Sequence, residues 1–301
     1  GIMIPRLESF GYPRPYSVAI VSCASVLGQL IPPSVPMILY AWVTQQSVAA
    51  FFLATVLPGI LMTFLMCVLN YFEVKKIPTI TVEPKISFDD KLKLIGNATK
   101  TGIWSLLMPV IILGGIYGGI TTPTESAAIA MFYAILVGFL IHRELNLKKL
   151  GHSLVSSATT SGVCALMLFF VSILAKIYTM QQIPQQLADF LLTLSDNKYV
   201  LLLLVNLFLI MIGMMMDDFS GTMLAAPLLL PLMLKIGVHP VHFAAIVGTN
   251  LGLGNVTPPC APILYLGGRI GGASFDEYVK PAAKIMLMVQ LPVVLITTYF
   301  P

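Results

Sequence analysis

Charge is what this sequence has least of. Of its 301 residues only 10% are charged, while 57% are hydrophobic. A soluble globular domain carries about 25% charged residues. The mean hydropathy of +0.90 points the same way. The gaps in charge are long and unbroken. No acidic, basic or histidine residue occurs from Pro15 to Phe72, and only Glu125 interrupts Gly102–Ile141. Ser153–Ala175, Tyr199–Met216, Phe219–Leu234 and Ile285–Pro301 are charge-free, and Ile236–Gly268 holds only two histidines before any formal charge. A helix crosses the hydrocarbon core with about 20 apolar residues, so there is room for roughly eight crossings or half-crossings.

Other absences narrow the function. The four cysteines, Cys23, Cys67, Cys164 and Cys260, lie far apart in apolar runs. They read as buried free thiols, not as a disulfide or metal set. No HExxH, GxSxG, P-loop or GxGxxG motif is present, which argues against an enzyme and against built-in ATP hydrolysis. The net charge of +4 is no nucleic-acid signal, because the bases sit in loops between apolar runs, as topology rules in membranes expect. No signal peptide opens the chain, and Gly1-Ile2-Met3 reads as the middle of something longer.

What is present is a repeat. Pro5–Leu39 aligns without a gap on Pro231–Tyr265, an offset of 226 residues (231 − 5). Pro5/Pro231, Gly11/Gly237, Leu27/Leu253, Gly28/Gly254, Pro32/Pro258, Pro33/Pro259 and Pro36/Pro262 are identical. A proline removes a backbone donor and clashes with the carbonyl four residues back, so two adjacent prolines after a glycine predict a broken helix. A helix broken at matching places in two halves is the best sequence pointer to a transporter's binding site. Upstream of the second copy, Asp217-Asp218-Phe219-Ser220-Gly221-Thr222 leads into a short apolar run with Pro227 inside. This reads as a re-entrant hairpin. Its counterpart is expected before residue 1, so the N-terminal part of the fold is expected to be missing. Six candidate spans separate the copies, so either the repeat is parallel or one segment does not cross. The segment interrupted at Gly118–Glu125 and the region 180–216 are the candidates.

The expected organisation is a first half-unit over 1–72, with broken helix 16–46 and helix 49–71. A cytoplasmic amphipathic arm over 73–101 follows. Its six lysines place it inside, and Ser87 reads as the cap of a surface helix. Arg143, Lys148 and Lys149 mark another cytoplasmic loop, and Thr179–Lys198 is a second amphipathic stretch. Middle and scaffold helices fill 102–216. The second half-unit over 217–301 comprises hairpin 217–235, broken helix 242–268 and last helix 284–300.

Several residues are candidates for chemistry. Acids inside a membrane are costly and mark sites, although Asp217 and Asp218 equally serve as caps at the water interface. Thr249, Asn250, Asn255 and Thr257 surround the second break, and Ser22, Ser25, Gln29 and Ser34 the first. Their oxygens suit sodium, and equally suit helix–helix hydrogen bonding. Thr121-Thr122-Pro123-Thr124-Glu125 is a third break, where Glu125 caps the next helix or joins a site. Arg269 is the nearest cation for an anionic substrate, or an interface anchor. His239 and His242 read as a loop pair, since no further metal ligands lie nearby.

Taken in order, Leu30-Ile-Pro-Pro-Ser-Val-Pro-Met37, Leu57-Pro-Gly-Ile-Leu61, Met108-Pro109, Gly114-Gly-Ile-Tyr-Gly-Gly-Ile-Thr-Thr-Pro-Thr-Glu125, Met216-Asp-Asp218, Pro227 with Leu230-Pro231, and His239-Pro-Val-His-Phe243 with Asn250 and Thr257-Pro-Pro259 are distinctive. Together they resemble the large membrane subunit of tripartite ATP-independent periplasmic (TRAP) transporters, the DctM type. The resemblance implies an all-α polytopic membrane protein with an inverted repeat and an elevator mechanism. It implies a sodium-coupled secondary transporter that imports an organic acid, such as sialic acid or a C4-dicarboxylate, across the bacterial inner membrane. Two partners are implied: a small membrane subunit of the DctQ type and a periplasmic substrate-binding protein. No catalytic residue is implied, and no cofactor beyond sodium as coupling ion. Carried over to this sequence, sodium contacts fall at Gly28, Ile31, Pro33, Thr121, Thr122, Asp217, Ser220, Gly254, Thr257 and Cys260. Substrate contacts fall at Ser34, Asp217, Asp218, Asn250 and Arg269. The alternatives are a carboxylate carrier of the same superfamily that needs no binding protein, and an ion channel with a proline-broken filter.

Overall fold

The computed structural model describes residues 2–80 and 87–300; among these there is helix but no strand. Six helical runs are long and apolar enough to cross a membrane, and a seventh counts if the bent pair Asp90–Lys100 and Gly102–Tyr117 is one span. The protein is therefore an all-α polytopic membrane protein. It divides into two compact units, Gly1–Thr81 with Met167–Pro301, and Val82–Leu166.

The first unit carries the repeat. Helices Arg14–Ser25, Leu27–Leu30 and Val35–Thr44 form the first broken helix, and Pro240–Val256 and Pro262–Gly271 the second. Prolines at the first helical positions start four of these segments, where the missing amide costs nothing. The entry to each copy is built alike. Gly11 (φ +87°) and Gly237 (φ +72°) are both left-handed. Tyr12 N donates to Leu7 O at 3.1 Å, and its counterpart Val238 N donates to Met233 O at 2.8 Å. This is the glycine stop that satisfies the orphan carbonyls of a helix end.

The two broken helices cross antiparallel. Tyr40, near the end of the first, donates its hydroxyl to Pro240 O at 3.3 Å and meets Phe243 edge-on, at the start of the second. Val18, at the start of the first, lies against Gly267 and Gly271 at the end of the second. The repeat is thus inverted. At the crossing, Val18, Cys23, Val26, Leu30, Val256, Leu264, Val289 and Val293 form one buried cluster.

The hairpin differs from expectation. Residues 217–235 do not fold back on themselves; Asp218–Lys235 is one helix with Pro227 and Pro231 inside. An interior proline forfeits a hydrogen bond, but packed neighbours let a helix in an apolar setting continue through it. The turn falls earlier, at Met216-Asp217, and the preceding arm is Lys198–Met215. Lys198 Nζ reaches Gly237 O at 3.4 Å, bringing the outer ends of the two arms together. A hairpin returns to the side it left. Five spans then separate the start of the first broken helix from the hairpin: Arg14–Thr44, Val48–Val74, the bent pair, Pro123–Ile141 and Leu147–Met180. Five is odd, as an inverted repeat requires if Lys198–Met215, itself long and apolar enough to cross, does not cross.

Other bounds also shift. Val48–Val74 is about 40 Å long at 1.5 Å per residue. The last span runs over Phe275–Tyr299, including a π-helical turn at Met286–Gln290, and starts at the capping box of Ser274 and Glu277. Within the second unit, the expected surface helix is the first limb of Phe88–Tyr117, bent by 70° after Lys100. Ser87 makes no side-chain cap there. Residues 81–86 of the expected arm lie outside the described residues. Tyr133 OH donates to Trp104 O at 2.6 Å, tying Pro123–Leu136 to Phe88–Tyr117. Of the cysteines only Cys23 is buried; Cys67 and Cys260 are exposed, so the reading of all four as buried thiols fails. Cys67 lies on the unpaired side of its helix, and Cys260 in the turn after a break.

Candidate functional site

The two breaks begin alike and then diverge: Val35 already starts the next helix, while its counterpart Ala261 (φ 33°) is left-handed and the next helix starts at Pro262. Ile31 (φ −87°, ψ 121°) and its counterpart Thr257 (φ −93°, ψ 127°) leave the helix in an extended conformation. Pro32-Pro33 and Pro258-Pro259 are both cis. Helix ends leave carbonyls without intrahelical partners, and hydroxyls supply some of them here. Ser34 Oγ, buried, donates to Gln29 O at 2.6 Å. Thr257 Oγ1 donates to Leu253 O at 2.6 Å and lies 3.5 Å from Met286 Sδ.

The hairpin turn joins both breaks. Asp217 caps the helix that follows, accepting from Phe219 N at 3.2 Å. Asp218 Oδ2 accepts from Gln29 Nε2, so the acid of the second half is tied to the amide of the first break. Asp218 Oδ1 is buried without a hydrogen-bond partner. A carboxylate oxygen removed from water is costly unless something pairs with it, and a cation or a water molecule would serve. On its other side the turn packs on the second break. A Cβ placed on Gly254 would sit 2.5 Å from Gly213 Cα, so the hairpin arm and the helix end touch backbone to backbone. Asn255, the repeat counterpart of Gln29, is also buried with Oδ1 unpartnered.

One helical turn deeper, Asn250 Nδ2 donates to Asn206 Oδ1 at 2.9 Å and to Ile246 O at 2.8 Å. Thr298 Oγ1 lies 3.0 Å from the same Asn206 oxygen and shares its one proton between it and Val294 O at 2.7 Å. This network links three helices across the interior and leaves Asn250 Oδ1 without a partner.

A family model described as "Tripartite ATP-independent periplasmic transporter, DctM component" matches residues 1–301. The chain belongs to this family. Among DctM-family relatives, the isethionate TRAP transporter permease protein DctMQ of Oleidesulfovibrio alaskensis is 35% identical over 300 residues, covering 100% of this chain and 46% of that protein. The sialic acid TRAP transporter large permease protein SiaM of Vibrio cholerae is 35% identical over 296 residues, 98% of this chain and 68% of that one. The C4-dicarboxylate TRAP transporter large permease protein DctM of Pseudomonas aeruginosa is 34% identical over 306 residues, 100% and 69%. The chain thus spans about half of the first and about two thirds of the other two.

For this DctM-family chain, the structure gathers most of the residues singled out in the sequence. Gly28, Ile31, Pro33 and Ser34 sit at the first break; of these only Ser34 is buried. Asp217, Asp218 and Ser220 are half-buried at the hairpin turn. Gly254 is buried and Thr257 half-buried at the second break, with Cys260 exposed beyond it. Asn250 is fully buried but faces Asn206. Arg269 is exposed in the last turn of Pro262–Gly271, away from the break. Thr121 and Thr122 belong to the second unit, and their partners are local. Thr121 Oγ1 lies 2.6 Å from Ser126 Oγ, and Thr122 forms a capping box with Glu125. Glu125 therefore acts as a cap. His239 Nδ1 accepts from Val241 N and His242 Nε2 donates to Thr297 O, so the two histidines serve separate partners.

The pairing of Gln29 with Asp218 and the role of Asn206 went unread in the sequence. A signal existed for each: an amide follows the glycine in both copies (Gly28-Gln29, Gly254-Asn255), and Asn206 stands alone in the charge-free run Tyr199–Met216.

Proposed function

We propose that this chain forms the transport core of a sodium-coupled TRAP large permease in the bacterial inner membrane. In this reading sodium binds where the hairpin turn meets the helix breaks. One ion takes Asp218 Oδ1, Ser220 and the freed carbonyls near Gly254 and Thr257; a second takes carbonyls around Gly28–Pro33. The observation that carries the reading is the unpartnered Asp218 oxygen, buried beside Gln29 at the meeting point of hairpin and break. Sodium there ties turn and breaks together and shapes a site for an organic anion, with Ser34 within reach and the helix N-termini after the breaks supplying positive dipole ends. Few cations stand in this interior, so dipoles and sodium carry the recognition. The relatives named for isethionate, sialic acid and C4-dicarboxylates support an organic acid as cargo. The loaded core then moves across the membrane against the scaffold helices. A small DctQ-type subunit and a periplasmic binding protein complete the system; the fused name DctMQ of one relative supports the first of these.

The test is thermal unfolding of the full-length protein in detergent, in NaCl against KCl at equal ionic strength. Sodium at about 100 times its dissociation constant adds roughly 2.7 kcal/mol. A sodium-specific rise that shrinks in Thr257→Val supports the reading. Equal melting in both salts sinks tight sodium binding at the second break.

A further inference from the structure

Two cavities at one end of the first unit share a wall. The larger, about 510 Å³, is apolar and lined by Leu53, Leu57 and Phe300 among others. The smaller, about 310 Å³, carries the polar ends of Lys198, Tyr199 and Tyr299 on a wall that is otherwise largely apolar. His239 and His242 line both. Leu57 and Phe300 are each 74% exposed, so the apolar cavity opens on the outer face of the first unit. The smaller cavity offers donors with little to bind. Lys198 Nζ has one long bond, to Gly237 O at 3.4 Å, and no acidic partner among the described residues. His239 accepts the Val241 amide on Nδ1 at 3.2 Å, which places its proton on Nε2 and leaves that donor free. The rings of Tyr199 and Tyr299, 5.9 Å apart, mark the level where tyrosines sit among headgroups. The location is the membrane face opposite the lysine-rich connector, because Lys284, near the other end of the last span, pairs with Glu73 at 2.7 Å.

We propose that the two cavities form one site for an anionic glycerophospholipid. An acyl chain lies along Leu53 and Leu57, and the phosphate sits between Lys198 and His239. The apolar groove supplies affinity for any lipid, and the basic pocket supplies the preference for negative charge. This site is separate from the helix breaks and does not depend on the transport reading.

The experiment uses full-length protein in nanodiscs with photo-crosslinking phosphatidylglycerol or phosphatidylcholine, followed by peptide mapping. Phosphatidylglycerol is expected to label residues 48–61 and 291–300, at least about fivefold more than phosphatidylcholine. Lys198→Gln with His239→Ala is expected to level the two lipids while labelling persists. Leu57→Trp, which fills the groove, is expected to reduce both. Equal labelling by the two lipids in the unaltered protein, or a preference that survives in the double variant, overturns the proposal. So does an absence of label from either lipid, the result expected if a partner subunit's helix fills the groove.

Discussion

Gly254→Ala tests whether the hairpin arm rests on the second helix break. The added methyl carbon would lie 2.5 Å from Gly213 Cα and 2.8 Å from Ile210 O, both backbone atoms. Ordinary contact begins near 3.4 Å, so arm and helix must part by about 1 Å in an interior packed like a crystal. Overpacking of this kind costs about 1–3 kcal/mol. At about 2–4 °C per kcal/mol for a body of this size, the melting temperature falls by about 2–12 °C. Two companions set the scale. Gly213→Ala meets Leu251 O at 2.9 Å and Gly254 Cα at 3.0 Å, a milder clash with backbone. Gly221→Ala meets side-chain ends alone, Leu251 at 3.3 Å and Ile212 at 3.5 Å, and gains about 1 kcal/mol of helix propensity. The expected order of stability is Gly221→Ala, then Gly213→Ala, then Gly254→Ala. Melting of the full-length protein in detergent reads it. Gly254→Ala melting as high as Gly221→Ala would refute the contact and with it the joining of hairpin and break.

Gln29→Leu leaves Asp218 with neither oxygen paired, at a cost of about 1–3 kcal/mol. Asp218→Leu added to it should recover part of the loss, with a coupling of about 0.5–3 kcal/mol in a double-mutant melting cycle; independent effects would show that the two groups do not meet. Asn206→Ala removes the oxygen that both Asn250 and Thr298 use. At about 0.6 kcal/mol per interhelical bond in a membrane, melting should register about 1 kcal/mol, and Thr298→Val about half of that. A silent Asn206→Ala would mean that water replaces the side chain.

Much of the fold could be read from the sequence because prolines and glycines act on the backbone whatever surrounds them. Pro32-Pro33 and Pro258-Pro259 end their helices at matching positions, with Ile31 and Thr257 both extended. Gly11 and Gly237 end theirs with the same bond pattern. The Thr122-x-x-Glu125 cap was readable for the same reason: both partners lie within one turn. What local pattern could not give was the hairpin. Pro227 and Pro231 look like breaks in isolation, yet their helix continues through both. The arms are identified by the contact of Lys198 with Gly237, 39 residues apart. Nor could it give the bond between Gln29 and Asp218, whose partners are 189 residues apart. Arg269 lies exposed in the last turn of its helix, at the end away from the break.

The antiparallel crossing explains why that distant bond forms. When two like halves run in opposite directions, each break meets elements of the other half. Asp218 precedes the second break in sequence, yet its carboxylate pairs with Gln29, one residue past the Gly28 that matches Gly254. The turn that carries it also presses on Gly254 through Gly213. A ligand drawn to the free oxygen of Asp218 therefore acts on two helix ends at once, through a hydrogen bond on one side and a backbone contact on the other. Coupling between sites is reciprocal. Whatever steadies the first break steadies the acid through Gln29, and occupation of the acid steadies both breaks in return.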